Sequence, residues 1–90
     1  MKPYKTTEIF DQNTAPQGLL RQHFTKKGVW GIIRVYEGDL KLVYTGSSRE
    51  MILSPSVAGL IVPLEKHYIH FTGSVRFCVE FYNQDPKSSL

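Results

Sequence analysis

Residues 28–44 read GVWGIIRVYEGDLKLVY, with runs of alternating apolar residues on both sides of the glycine-containing stretch 37–39. Alternation is typical of β-strands, and a short connection with glycine is typical of a β-hairpin turn. Residues 59–71 read GLIVPLEKHYIHF, in which a turn containing Pro63 precedes a strand that begins at His67. These two segments predict a small all-β body that places a histidine at the beginning of one strand.

The remainder of the chain continues this pattern of short strands separated by turns. No stretch of 10 to 12 residues has apolar residues at helical spacing, and most breaks contain the glycine, proline or serine that turns require. Seven short strands of this kind predict a barrel or a sandwich. The predicted strands are 19–25, 28–37, 40–46, 50–53, 60–62, 67–72 and 75–83.

Length and composition indicate one domain, residues 1–90, with a modest core. The polar segment 1–18 is predicted to lie over the body, and the tail 84–90 is predicted to be frayed. The single cysteine, Cys78, excludes an internal disulfide and a thiolate zinc cluster. It is predicted to be a small buried apolar residue.

Charge and hydropathy narrow the classes of partner. The formal net charge is +3 and the basic residues are scattered, so a nucleic-acid partner is not expected. The apolar runs are far shorter than the ~20 residues that a membrane span needs, and the N-terminus lacks the apolar core of a signal peptide. We therefore expect a cytoplasmic protein with no membrane partner.

Strand alternation assigns the histidines of the strand 67–72 to opposite faces. His67 shares a face with Ile69 and Phe71, whereas His70 shares the other face with Tyr68. His67 is therefore predicted to point inward, and His70 is predicted to be exposed or at an interface.

The last predicted strand divides in the same way. Its apolar positions form the expected core face: Val75, Phe77, Val79 and Phe81. Its other positions form the opposite face: Arg76, Cys78, Glu80 and Tyr82. Glu80 would then reach an interior site only if association of two chains buried that face.

The runs HFTKKGVWGIIRVYEGDLKLVY and PLEKHYIHFTGSVRFCVEFY resemble the small cupin-like domain at the N-terminus of TehB tellurite-resistance methyltransferases, which also occurs alone in YeaR-like proteins. The resemblance spans roughly residues 13–83 and implies a double-stranded β-helix, a small jelly-roll barrel, that is often a homodimer. It does not imply methyl transfer, because no glycine-rich cofactor loop is present. The matching positions are Thr14, Ala15, Pro16, Gly18, His23, Gly28, Trp30, Gly31, Gly38, Pro63 and His67.

Compared with the usual cupin metal site, this chain lacks a His-x-His pair, and Gly31 falls roughly where a glutamate is expected. The remaining candidate metal ligands are His23, His67 and Glu80, with His70 in reserve. Two imidazoles and a carboxylate suit one divalent ion such as Zn, Fe, Ni or Mn.

The candidate ligand pocket consists of His23, His67, Trp30 and Arg34. Structural roles compete with binding roles for each of them: His23 as a surface or structural histidine, Trp30 in core packing and Arg34 as a surface charge.

The first hypothesis for function is a module that binds a small molecule or an anion, with a metal or an oxyanion as its ligand, and that is associated with tellurite or related stress. The second is a small metal-dependent oxygenase or isomerase. The third is a nucleic-acid-binding β-barrel, suggested by the five tyrosines and the basic isoelectric point.

Overall fold

In a computed structural model, which describes residues 1–87, the chain is almost entirely antiparallel β-sheet. Its single helical element is the 3₁₀ helix Gln17–Leu20, and no helix in residues 1–87 is long and apolar enough to cross a membrane. The expected all-β, barrel-like fold is confirmed. The strands are β1 (Lys5–Thr6), β2 (Phe10–Asp11), β3 (Trp30–Tyr44), β4 (Arg49–Leu53), β5 (Gly59–Ile61) and β6 (His67–Tyr82).

Two long strands, β3 and β6, run antiparallel along their whole length and organise the sheet. The first half of β3 pairs with β5 and with the second half of β6. The second half of β3 pairs with β4 and with the first half of β6. The short strands β1 and β2 add to the second half of β6. Each long strand therefore contributes to two parts of one continuous sheet.

The sheet bends where its register shifts, between Val35 and Glu37 and again between Gly38 and Leu40. Such β-bulges bend a strand and increase its twist. Because of this bend, Gly59 of β5 lies against Leu42 and Leu53 from the other part of the sheet. The apolar faces of the two parts thus share one core.

The prediction of a hairpin turn at residues 37–39 is wrong, because these residues lie in the middle of β3. The expected break at residues 73–74 is likewise inside β6. Gly38 has a positive φ of 75° and pairs with Val75, so glycine here accommodates a bulge and not a reversal of the chain. Each long strand thus replaces two of the predicted short ones.

The prediction of a strand at residues 19–25 is also wrong. Leu19 and Leu20 belong to the 3₁₀ helix, in which Leu19 N–H donates to the Pro16 carbonyl (3.0 Å). One helical turn is sufficient to pack both leucines against the core. Only His23 of the following residues pairs with a strand, through a bridge to His67.

The predicted strands 50–53 and 60–62 correspond to β4 and β5 with small shifts at their ends. Segment 1–18 contributes β1 and β2. Of the tail expected to be frayed, residues 88–90 lie outside the described residues, and Lys87 N–H donates to the Asp85 carboxylate (2.8 Å).

The burial pattern of β6 agrees with the predicted faces in its first half and only in part in its second half, where Cys78 and Tyr82 of the opposite face are also buried and Phe81 is half-buried. His67, Ile69, Val75 and Phe77 are buried, and His70 is exposed. Cys78 is a buried free thiol, although it lies on the opposite face from Phe77. The buried apolar residues that form the core are Phe10, Ile33, Val35, Leu40, Leu42, Tyr44, Leu53, Ile61, Ile69, Val75, Phe77 and Val79.

Gly59 lies at a position where the two parts of the sheet are in close contact within the core, and a substitution there tests this packing. An alanine Cβ would lie 2.7 Å from Leu53 Cδ1 and 2.9 Å from Leu42 Cδ2, and both leucines are completely buried. We expect Gly59→Ala to lower the free energy of unfolding by about 1 to 3 kcal/mol, as overpacking of cores does. Urea denaturation measures it. Gly46→Ala is the matched control because no atom lies within 4 Å of its added Cβ; equal stability of the two variants would contradict the close approach.

Candidate ligand-binding site

A cavity of about 390 Å³ opens on the inner face of the sheet. Its floor consists of the buried side chains of Ile33, Ile61, Ile69 and Phe77. This volume falls within the range of about 300 to 1,000 Å³ that is usual for small-molecule sites.

The mouth of the cavity has a different composition from its floor. Tyr4 and Phe24 are both 56% exposed, and Lys5 and Lys26 are also exposed lining residues. Within residues 1–87, no aspartate or glutamate lines the cavity. The cavity therefore combines an apolar interior with a positively charged mouth.

One wall of the cavity contains the paired histidines, His23 and His67. Their backbones form a two-residue bridge in which each N–H donates to the other's carbonyl at 2.9 Å. The ring centroids lie 4.2 Å apart and the ring planes are inclined at 61°. The bridge thus joins the irregular segment after the 3₁₀ helix to the first residue of β6.

The hydrogen bonds of the two rings determine where their protons lie. His23 Nδ1 is 2.8 Å from the Arg21 carbonyl oxygen, and His67 Nδ1 is 2.7 Å from the Glu65 carbonyl oxygen. A carbonyl oxygen can only accept, so in both rings Nδ1 is the donor. In the neutral imidazole, Nε2 then carries a lone pair and acts as an acceptor.

Burial is the main influence on the charge of His67. It lowers the pKa of the imidazole from its ordinary value of 6.5, and neighbouring His23 lowers it further, while the hydrogen bond to Glu65 opposes both effects. His67 is therefore neutral at pH 7.

This depressed pKa predicts loss of stability in acid. Below about pH 6.5 the unfolded chain binds a proton at residue 67 more readily than the folded chain, so unfolding becomes more favourable as the pH falls. The contribution of neutral His67 to the free energy of unfolding is complete above about pH 6.5. It is lost as the pH falls through the pKa of His67 in the folded state. We expect His67→Phe to lose less stability than the wild type between pH 7 and pH 5, measured by urea denaturation. His70→Gln, at an exposed position, should follow the wild type; parallel curves for all three would contradict the prediction.

The structure brings His23 and His67 together in the cavity but does not bring Trp30 or Arg34 there. On β3, Gly31 and Ile33 face the cavity, and alternation places Trp30 and Arg34 on the outer face. Arg34 Nε donates to Glu80 Oε1 at 3.0 Å, and this hydrogen bond raises the arginine pKa.

Two further expected metal ligands also lie away from the cavity. Glu80 is on the outer face, where Tyr82 also donates to its Oε1 at 3.0 Å, and His70 is exposed. No group of three or more histidine, cysteine, aspartate or glutamate side chains suited to a metal ion occurs in residues 1–87. Structural and catalytic zinc sites take at least three protein ligands, and the cavity supplies two imidazoles. The two imidazoles of the cavity therefore fall short of the ligand set of a zinc site, and the divalent ion expected from the sequence stays a prediction.

Several cavity residues did not stand out in the sequence. Strand alternation was sufficient to group Gly31 with Ile33, but no pattern indicated that this face of β3 points inward. Lys5 reaches the cavity because β1 pairs with the end of β6, with Lys5 opposite Phe81. That pairing joins distant parts of the chain and leaves no local signal.

Comparison with known proteins identifies the family. Residues 5–79 match the TehB-like domain. The chain belongs to the TehB-like domain family. Its fold is similar to the crystal structure of TehB from Haemophilus influenzae, with a TM-score of 0.80, 26% identity and 88% of this chain covered. This TehB-like chain spans only 30% of that protein's length.

A second solved structure, of a protein from E. coli strain K12, has a TM-score of 0.82 and 19% identity. The match covers 92% of this TehB-like chain and 90% of the E. coli chain, and at this identity it supports the fold alone. Among curated proteins, none matches the sequence significantly.

Proposed function

We propose that this TehB-like domain is a binding module for a small organic anion. The observation that supports the proposal most directly is the contrast within the cavity: an apolar, buried floor and a mouth with two lysines, without an acidic side chain in the lining. An apolar group of the ligand would occupy the floor, and its carboxylate would remain near the lysines and water.

The apolar floor favours an organic anion over an inorganic oxyanion. An ion such as tellurite, which the family resemblance suggests, would have to lose water without gaining polar partners from Ile33, Ile61 or Phe77. An organic acid keeps its charged end hydrated and buries only its apolar part. The alternative of a metal-dependent oxygenase or isomerase requires metal ligands that the cavity does not supply.

Isothermal titration calorimetry with phenylacetate, isovalerate and their neutral amides tests the proposal. We expect both carboxylates to bind, their amides to bind more weakly, and sodium tellurite, phosphate and zinc chloride to give no saturable binding. Affinity for the carboxylates should fall as salt concentration rises, because the lysines are exposed. Absence of carboxylate binding, or saturable binding of zinc or tellurite alone, would refute the proposal.

The lysines at the mouth provide a second test. Lys5→Gln and Lys26→Gln should each weaken phenylacetate binding by roughly 1.4- to 5-fold, since exposed charge pairs contribute about 0.2 to 1 kcal/mol. Lys27→Gln is the matched control, because Lys27 is exposed and adjacent in sequence but does not line the cavity. An equal effect of Lys26→Gln and Lys27→Gln would mean that only the general charge of the surface attracts the ligand.

A further inference from the structure

Among the residues that the structure describes, neither Nε2 atom of the paired histidines has a hydrogen-bond partner. The hydrogen bonds of both rings are made through Nδ1, and within residues 1–87 neither side chain makes a further hydrogen bond. His67 is 3% exposed and lines the cavity. Within residues 1–87, a single side-chain nitrogen or oxygen atom, Thr45 Oγ1, is both fully covered and without a hydrogen-bond partner. His67 Nε2 is not such an atom. His67 Nε2 therefore keeps some accessible surface, and His67 is one of the residues that line the cavity.

We infer that the paired histidines select, among organic anions, those that carry a hydrogen-bond donor such as a hydroxyl or amino group on the apolar part of the molecule. The inference rests on the proposed function and specifies its ligand class: hydroxy or amino acids whose donor is remote from the carboxylate.

The Nε2 acceptors of the paired histidines require a hydrogen-bond donor on the ligand. A neutral Nε2 accepts a hydrogen bond, so a carboxylate oxygen placed against it would bring two acceptors together. A hydroxyl satisfies the acceptor, whereas a purely apolar ligand excludes water from Nε2 and leaves it unpaired, which is costly in a buried site. An amino group on the ligand can donate to Nε2 in the same way.

The position of the charges gives the ligand its orientation. The lysines lie at the exposed mouth, whereas His67 is almost completely buried. The carboxylate then lies outward and the donor lies against the histidines, with the apolar part of the ligand on the floor between them. This arrangement distinguishes a hydroxy acid from a plain acid of the same size.

The test compares phenylacetate with its meta-hydroxyl and para-hydroxyl derivatives and with the matching methoxy compounds. We expect at least one hydroxyl derivative to bind roughly 3- to 10-fold more tightly than phenylacetate, which corresponds to one net hydrogen bond. The methoxy compounds cannot donate and should lose the gain. In His67→Phe and His23→Phe the preference should disappear, while His70→Phe should keep it.

Imidazole nitrogen NMR of the wild-type protein gives a readout that does not depend on the folding of a variant. Both rings should carry the proton on Nδ1, and the hydroxyl derivative should shift an Nε2 resonance that the methoxy compound leaves unchanged. If no carboxylate binds, the proposed function fails and this inference fails with it. If carboxylates bind without a preference for the donor, or if the rings carry the proton on Nε2, this inference alone is overturned.

Discussion

Gly38→Ala is expected to lower the free energy of unfolding by about 3 to 5 kcal/mol, which combines backbone strain at a positive φ with overpacking. The glycine has a φ of 75°, a conformation that side-chain-bearing residues rarely adopt. An added Cβ would overlap the backbone carbonyl oxygen of Ser74 and lie 3.2 Å from Val75 Cα. Relief of this overlap would require β3 to separate from β6 at the bend that joins the two parts of the sheet.

Thermal and urea denaturation measure the effect, which should lower Tm by roughly 12 °C or more. Gly28→Ala separates the two causes, because Gly28 has a φ of 81° but no atom within 4 Å of an added Cβ. It should cost only about 1 kcal/mol, the strain alone. Gly73→Ala has neither constraint and should be close to neutral. If Gly38→Ala is no worse than Gly28→Ala, the contact across the bulge is not a determinant of the fold.

Gly38 also shows where the sequence was sufficient for the fold and where it was not. Alternation of apolar residues on both sides of it correctly predicted antiparallel strands. Glycine is favoured both in tight hairpin turns and in glycine-type bulges, since both place a residue at a positive φ. The difference depends on whether β6 continues alongside β3, which is a contact between residues distant in the chain. Local pattern therefore predicted the strand class but divided two long strands into four short ones.

The candidate site was predictable to a similar degree. His67 was correctly placed inward because Ile69 and Phe71 mark the apolar face of its strand. On β3, both faces contain large apolar residues, Trp30 and Ile32 on one and Ile33 and Val35 on the other. Alternation alone could not decide which of these faces lines the cavity. The homodimer expected from the family resemblance stays a prediction.

The second large effect is expected at the floor of the cavity. Phe77 is completely buried, and its ring lies 5.8 Å from Phe10 and 5.9 Å from Phe71, measured between centroids. We expect Phe77→Ala to lower the free energy of unfolding by about 3 kcal/mol, the lower end of the usual range for this substitution. The lower end applies because Phe77 lines the cavity, so the space left by its ring would join an existing opening and would not form a closed void. Urea denaturation measures it.

Phe24→Ala is the matched control, because Phe24 lines the same cavity but is 56% exposed at its mouth. It should change the free energy of unfolding by less than about 1 kcal/mol, since a half-exposed ring loses little burial and leaves no closed void. Phenylacetate affinity should nevertheless fall, because the apolar part of the ligand loses one wall of its site. The two variants together separate the roles of the cavity: its floor is part of the core that holds the sheet together, whereas its mouth can change with little effect on folding. Equal losses of stability in the two variants would contradict this division.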